Sequence, residues 1–281
     1  MWFSDRDVAL YHTKQDEKGL SVAISTLRID GNKSSVVDNR QLARLNPYPG
    51  VADGETSSLG GGIAARDNTI YLALGTGAAN SDLDAFTVAQ SDSSYLGHVI
   101  KIKVQKSEAG YLLQDIESYS KGHRNPQGLK FIQERLIAVE HGPRGGDEVN
   151  IIEPGSNYGW PKFSHGIPYN EKLDVETYRQ NGSYKSPIYY FTPSLGISDL
   201  TDCPFSVDQL YSNCILISSM ISGTYHILKY EINDTELRIL SDESIKFGDR
   251  IRKILSEENR IYLFTDSLFL YEIEYIRKRP R

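Results

Sequence analysis

The sequence predicts an all-β chain of repeated antiparallel sheets, the plan of a β-propeller, and three observations carry that reading. Aromatic and β-branched residues fall in short runs broken by Gly, Asn, Asp and Pro, as strands and turns do. Long helical periodicity is hard to find. The runs also recur as a loose unit: an apolar strand, a polar turn, a second apolar strand, then a third further on. In a propeller each such unit leaves an apolar face that the next one covers. A β-sandwich or an irregular barrel would share the patterning.

The first full unit starts at Gly62-Ile63-Ala64-Ala65, turns at Arg66-Asp67-Asn68 and returns from Thr69 to Leu74. Its later strand, His98 to Ile102, alternates as a strand with one buried face does. The second unit runs Gly128 to Phe131, Arg135 to Val139 and Glu148 to Ile152. The third passes through Phe205-Ser206-Val207 to Cys214–Ile217, with His226 to Tyr230 after it. The fourth comprises Ile251 to Ile254, Arg260 to Phe264 and Leu268 to Ile273. Ahead of them Val22 to Asp30 reads as a strand with little before it, so the chain is expected to begin inside a blade. Gly77 to Tyr95, rich in Ser, Asp and Ala, reads as a surface loop of the kind that lines sites.

At 281 residues the chain can bury one large core, and residues 1–281 read as a single domain. A formal net charge of -6 argues against nucleic acid as the main partner. The basic run Arg277, Lys278, Arg279 and Arg281 reads as a solvated tail. No apolar stretch approaches the ~20 residues that span a bilayer, and Met1 to Arg6 lead into no signal-peptide core. Cys203 and Cys214 are either two core thiols or a disulfide, the latter implying an oxidising compartment.

Four segments are more specific than strand patterning: Gly122-His123-Arg124-Asn125-Pro126-Gln127-Gly128-Leu129, the stretch Glu140-His141-Gly142-Pro143-Arg144-Gly145-Gly146-Asp147-Glu148, Asn157-Tyr158-Gly159-Trp160-Pro161, and Arg250-Ile251-Arg252. Glycines and a proline interrupt a strand end in the second of these and expose backbone carbonyls beside Asp147 and Glu148. Carbonyl and carboxylate oxygens suit a hard cation such as calcium; the plainer reading is that the two carboxylates cap turns. Together with Phe191-Thr192-Pro193-Ser194, and in this order, the segments resemble the soluble aldose (glucose/sorbosone) dehydrogenases that use pyrroloquinoline quinone (PQQ), over roughly Val22 to Ile273.

That resemblance implies a propeller of four-stranded antiparallel blades, six in the family and fewer if this chain is a shortened form. It implies that Arg124, Asn125, Thr192, Arg250 and Arg252 contact PQQ, the arginines through charge-assisted bonds to carboxylates and quinone oxygens. The Gly142 and Pro143 carbonyls would hold a calcium against the quinone, and Glu148 with the Tyr158 region a second, structural one. Family precedent further implies a periplasmic or secreted protein with a small aldose or glycan as ligand.

The pattern breaks in Ser58-Leu59-Gly60-Gly61-Gly62-Ile63. The family places a catalytic histidine where Ser58 stands and an arginine where Gly62 stands; a serine hydroxyl is not a useful base near neutral pH unless another group activates it. Ile221 occupies the position of a quinone-contacting lysine, and Gly75-Thr76 replaces the usual Gly-Asp. Among the histidines, His123 and His141 belong to the retained motifs. His98 and His226 sit in strand patterns and read as structural; His165 lies in a loop and His12 near the start. Two readings follow. One is an aldose oxidoreductase whose proton acceptor is altered or supplied elsewhere. The other is a non-catalytic, calcium-containing propeller that recognises a sugar, glycan or protein.

Overall fold

A computed structural model describes residues 7–16, 19–29, 36–45, 58–77, 88–108, 110–169, 184–204, 213–233 and 236–274. The described chain is all-β apart from one 3-10 turn, Val88–Gln90. Its strands form five antiparallel sheets, the blades of a β-propeller fold, each a simple meander in chain order.

One compact unit comprises residues 1–126, 153–163 and 182–185. It holds the three-stranded sheet β1 (Asp7–Asp16), β2 (Gly19–Ile29) and β3 (Val36–Arg44), and a four-stranded sheet. The latter is β4 (Gly60–Arg66), β5 (Thr69–Leu74), β6 (His98–Ser107) and β7 (Gly110–Lys121). Alternation on β2, β5 and β6 sends Val22, Ile24, Ile70, Leu72, Leu74, Ile100 and Ile102 into one core. Burying each such side chain stabilises the fold by about 1.5–3 kcal/mol.

The second unit comprises residues 127–152, 164–181 and 186–281. Its sheets are β8 (Pro126–Ile132) to β11 (Tyr189–Phe191), β12 (Ile197–Asp202) to β15 (Leu237–Lys246), and β16 (Ile251–Glu257) to β18 (Leu270–Glu274). Between them run β9 (Arg135–Glu140), β10 (Asp147–Ile151), β13 (Cys214–Ser219), β14 (Thr224–Ile232) and β17 (Arg260–Thr265). Core residues include Ile137, Val139, Val149, Ile215, Ile217 and Leu228. At Gly128 the sheets approach so closely that a Cβ would lie 2.8 Å from Leu200 and 3.0 Å from the Asp199 backbone.

Six strands differ from the sequence reading. A full strand, β1, precedes Val22, where little was expected. The third unit opens with Ile197–Asp202; Phe205 to Val207 lie outside the described residues. Strands β3, β7, β11 and β15, the last in their sheets, were not anticipated; β7 and β15 turn mostly exposed, polar residues to solvent, and β11 is three residues long. The cysteines form a disulfide, Cys203–Cys214, with Cα atoms 5.5 Å apart. No helix among the described residues is long and apolar enough to cross a membrane.

Candidate active site

Three first strands begin with a β-bulge. On β4 the register jumps between Gly60 and Gly62, on β12 between Ile197 and Asp199, and on β16 between Ile251 and Lys253. Each leaves one residue outside the ladder: Gly61, Ser198 and Arg252. Bulges re-aim side chains and favour sites for that reason.

In the first unit Ser58 precedes such a bulge. Its backbone is left-handed, φ 60°, and its carbonyl accepts the Gly77 amide at 3.0 Å. The Gly75 amide donates to Leu59 at 2.9 Å, and the Thr76 amide to the Arg124 carbonyl at 3.0 Å. The Asn125 side-chain oxygen accepts the Gly60 amide at 3.1 Å. These bonds bring Ser58, Arg124 and Asn125 together and place Gly75-Thr76 between them. Arg124, 8% exposed, lies over the Trp160 ring, 5.3 Å from guanidinium to centroid, a cation–π contact. Tyr158 is buried, accepts the Glu153 amide at 3.0 Å through its hydroxyl, and stacks on His123 at 4.7 Å. His123 in turn bonds the Ser120 hydroxyl at 2.9 Å. It is therefore held within the structure rather than presented as a base.

In the second unit the loop 141–146 is held by one buried carboxylate. Asp147 accepts the Gly142 amide on Oδ1 at 3.1 Å, and those of Leu195, Gly196 and Ile197 on Oδ2 at 2.9, 2.8 and 3.3 Å. Asp147 is thus a clamp, the capping role. The Pro143 carbonyl faces the hydroxyls of Tyr169 and Ser194, each at 3.4 Å. The Gly146 amide bonds the Phe191 carbonyl at 2.8 Å and sets exposed Thr192 beside Gly145.

Arg250, just before β16, and the bulged Arg252 converge on Asp266: Arg250 Nε reaches Oδ2 at 2.7 Å and Arg252 bonds both oxygens. The two guanidiniums hold the Asp266 carboxyl below the usual carboxylate range. Asp249 stands beside them, its carboxylate accepting the Arg250 amide, so the two arginines are balanced in charge and offer an anionic ligand their remaining guanidinium donors. Asp266 was absent from the sequence reading. Ile221, 67% exposed, stands in the loop between β13 and β14.

Glu148 opposes Glu140 directly across β10 and β9, and both are buried. The Asn150 amide bridges them, donating to Glu140 at 3.1 Å and to Glu148 at 3.2 Å. Burial first, then the Glu140 charge, pushes the Glu148 carboxyl up to about 8. The Asn150 side-chain oxygen is buried with no hydrogen-bond partner. Two carboxyls and an unsatisfied amide oxygen form an oxygen-rich set that fits a hard cation. Among the described residues no three His, Cys, Asp or Glu side chains converge, so carbonyl oxygens would complete any calcium shell.

A meandering β-propeller carrying arginine- and carbonyl-bearing loops at its strand starts is the class that fold and site define. The chain belongs to the Glucose / Sorbosone dehydrogenase family, whose sequence model matches residues 2–268. It is 25% identical over 280 residues to Aldose sugar dehydrogenase YliI of Escherichia coli (strain K12), covering 95% of this chain and 70% of that one. It is 28% identical over 205 residues to Quinoprotein glucose dehydrogenase B of Acinetobacter calcoaceticus, covering 66% and 40% respectively. The chain spans between 40% and 70% of the length of the curated relatives it matches. A solved glucose dehydrogenase superposes with a TM-score of 0.78 at 25% identity, over 98% of this chain and 80% of its own. The PQQ-bound form of an aldose sugar dehydrogenase from Streptomyces coelicolor gives 0.65 at 20% identity, over 93% and 70%, a likeness of fold.

Proposed function

We propose that this chain is a quinone-dependent aldose oxidoreductase of slow turnover, retaining part of the family's ligand-binding groups without its histidine base. The observation that carries the reading is the setting of Ser58. Its carbonyl accepts the Gly77 amide, and Leu59 and Gly60 after it are tied to Gly75 and Asn125, while its side chain offers a hydroxyl where the family has an imidazole. PQQ, when bound, supplies the acceptor for the hydride that leaves the aldose. Arg124, Arg250 and Arg252 would bind and orient its carboxylates, with Asn125 and Thr192 adding neutral contacts. The Gly142 and Pro143 carbonyls would face a calcium beside it. Glu148 and Tyr158 would belong to a second, structural calcium site.

What the family's histidine contributes as a base is worth about 10²–10⁴ in rate, and its loss defines the slow turnover. The disulfide Cys203–Cys214 supports a periplasmic or secreted location. Calorimetric titration with PQQ, at millimolar calcium and again with chelator, tests the reading. Tight calcium-dependent binding is expected, together with slow dye reduction by aldoses that Ser58→His raises by about 10²-fold or more. His tolerates the left-handed backbone there better than most residues. No binding under either condition overturns the reading. A second reading, a non-catalytic calcium-containing propeller that recognises a sugar, glycan or protein, would then stand. The combined changes at Ser58, Gly62 and Ile221 favour it.

A further inference from the structure

A half-buried glutamine links the connection between β5 and β6 to Arg124. Gln90 ends the 3-10 turn Val88–Gln90. Its Nε2 donates to the Trp160 carbonyl at 2.6 Å and to Asn157 Oδ1 at 3.1 Å. Asn157 Nδ2 donates back to Gln90 Oε1 at 2.7 Å. One side-chain amide thus grips both ends of the segment Asn157-Tyr158-Gly159-Trp160. The Trp160 ring, in a residue 5% exposed, lies under the Arg124 guanidinium at 5.3 Å. All of these residues belong to the first compact unit.

The turn itself is closed without this side chain, by the Ser91 amide on the Val88 carbonyl at 3.1 Å. Its backbone is docked separately, the Gly122 amide donating to Ala89 and the Trp160 amide to Gly122, each at 2.9 Å. Gly122, at φ 80°, permits the close approach: a Cβ there would lie 2.3 Å from Asn157 Oδ1. What the Gln90 amide adds is the seat of Trp160. We propose that Gln90 is a positioning residue for Arg124: it fixes the Trp160 ring as the shelf on which the guanidinium lies, and so holds that group oriented for the carboxylates of the quinone. The proposal rests on the aldose-oxidoreductase reading. A guanidinium already held in place loses less side-chain freedom on binding, and the difference appears as affinity.

The first test needs no quinone. A proton over an indole face is shifted upfield by the ring current, so in the arginine-labelled chain the Arg124 side-chain N–H resonance should stand upfield. Arg124→Met assigns that resonance by its loss. Gln90→Met, similar in shape but without the amide, should remove most of the shift. Gln90→Glu keeps the acceptor for Asn157 and loses the donor to Trp160; it should do the same, and it serves if the Met variant fails to fold. An Arg124 resonance unmoved in these variants, or already at the free-arginine position in the native chain, overturns the proposal.

The second test is calorimetric titration with PQQ at millimolar calcium. Gln90→Met should weaken binding by about 10-fold in the native background. Beside Arg124→Met it should change little, because the effect passes through that side chain. A glutamine that only braced the fold would weaken both backgrounds alike. Equal losses therefore overturn the proposal, as does undiminished affinity in the single variant. Failure of the native chain to bind PQQ would defeat the oxidoreductase reading instead, and the resonance alone would then judge whether Gln90 positions Arg124.

Discussion

Gly75 and Ser58 meet backbone to backbone: a Cβ built on Gly75 would stand 1.9 Å from the Ser58 carbonyl oxygen and 2.8 Å from the Gly60 amide nitrogen. Both contacts are to main chain that is already hydrogen-bonded, so neither can yield as a flexible side chain would. Gly75→Ala is expected to cost about 2–3 kcal/mol, read as a lower urea midpoint. The loss should come with weaker ligand binding, because the same bonds fix Arg124 and Asn125.

Asp147 ties the loop after β9 to the chain after β11. Asp147→Ala would strand the amides of Gly142, Leu195, Gly196 and Ile197, the last two in buried residues. A loss on the order of 4 kcal/mol is expected, measured by guanidinium unfolding. Calcium affinity of the Gly142-Pro143 loop should fall with it. A variant as stable as the native chain would show that the clamp is dispensable.

His98 makes stability depend on pH. Burial, followed by the nearby His123 and Lys121, lowers its pKa to about 4, and its Nδ1 bonds Ser118 at 2.8 Å. Because the unfolded chain takes up this proton near pH ~6.5 and the folded chain only near 4, stability falls as pH drops through that window. The contribution is complete above it, and the loss is on the order of 3 kcal/mol. His98→Gln should flatten the stability–pH curve over that range; an unchanged slope would assign it to other groups.

The disulfide closes a loop of sequence separation 11. Reduction, or Cys203→Ser with Cys214→Ser, should lower stability by about 2–3 kcal/mol. Thermal melts with and without reductant measure it directly. The expected order is oxidised native chain above reduced chain, with the double variant insensitive to reductant.

What the sequence made legible follows how each residue's signal is encoded. Strands β5, β6, β9, β13 and β14 announce themselves because a buried face forces regular apolar residues. Strand β7 shows only Gly110, Tyr111 and Ser120 buried, so it carries little hydrophobic period to read. The arginine and Gly-Pro motifs were readable as local strings. Asp266 was not, because its meaning lies in a turn beyond β17 that folds back on Arg250 and Arg252. His226 looked like an ordinary strand histidine for the same reason: Asp242 sits on the next strand, and only the register of β14 with β15 places it within reach. Carboxylate roles were equally hidden. Asp147 and Glu148 are neighbours in sequence, yet one accepts backbone amides while the other faces a second carboxyl.

The bulges at Gly61, Ser198 and Arg252 make the chain tolerant of change in particular places. On either side of each, the ladder is in register: Ile251 faces Thr265 and Lys253 faces Phe264, consecutive residues on β17. Losing the single residue between them would leave every inward-facing side chain pointing inward, whereas a deletion one turn further along would invert the strand. Residue count can drift at these positions while the core stays constant, and at exposed Arg252 residue type can drift as well; Gly61, at φ 140°, and Ser198, whose hydroxyl donates to the Ile251 carbonyl, are held to their types. A lineage can exchange Arg252, and so retune what this loop holds, without renegotiating the packing beneath.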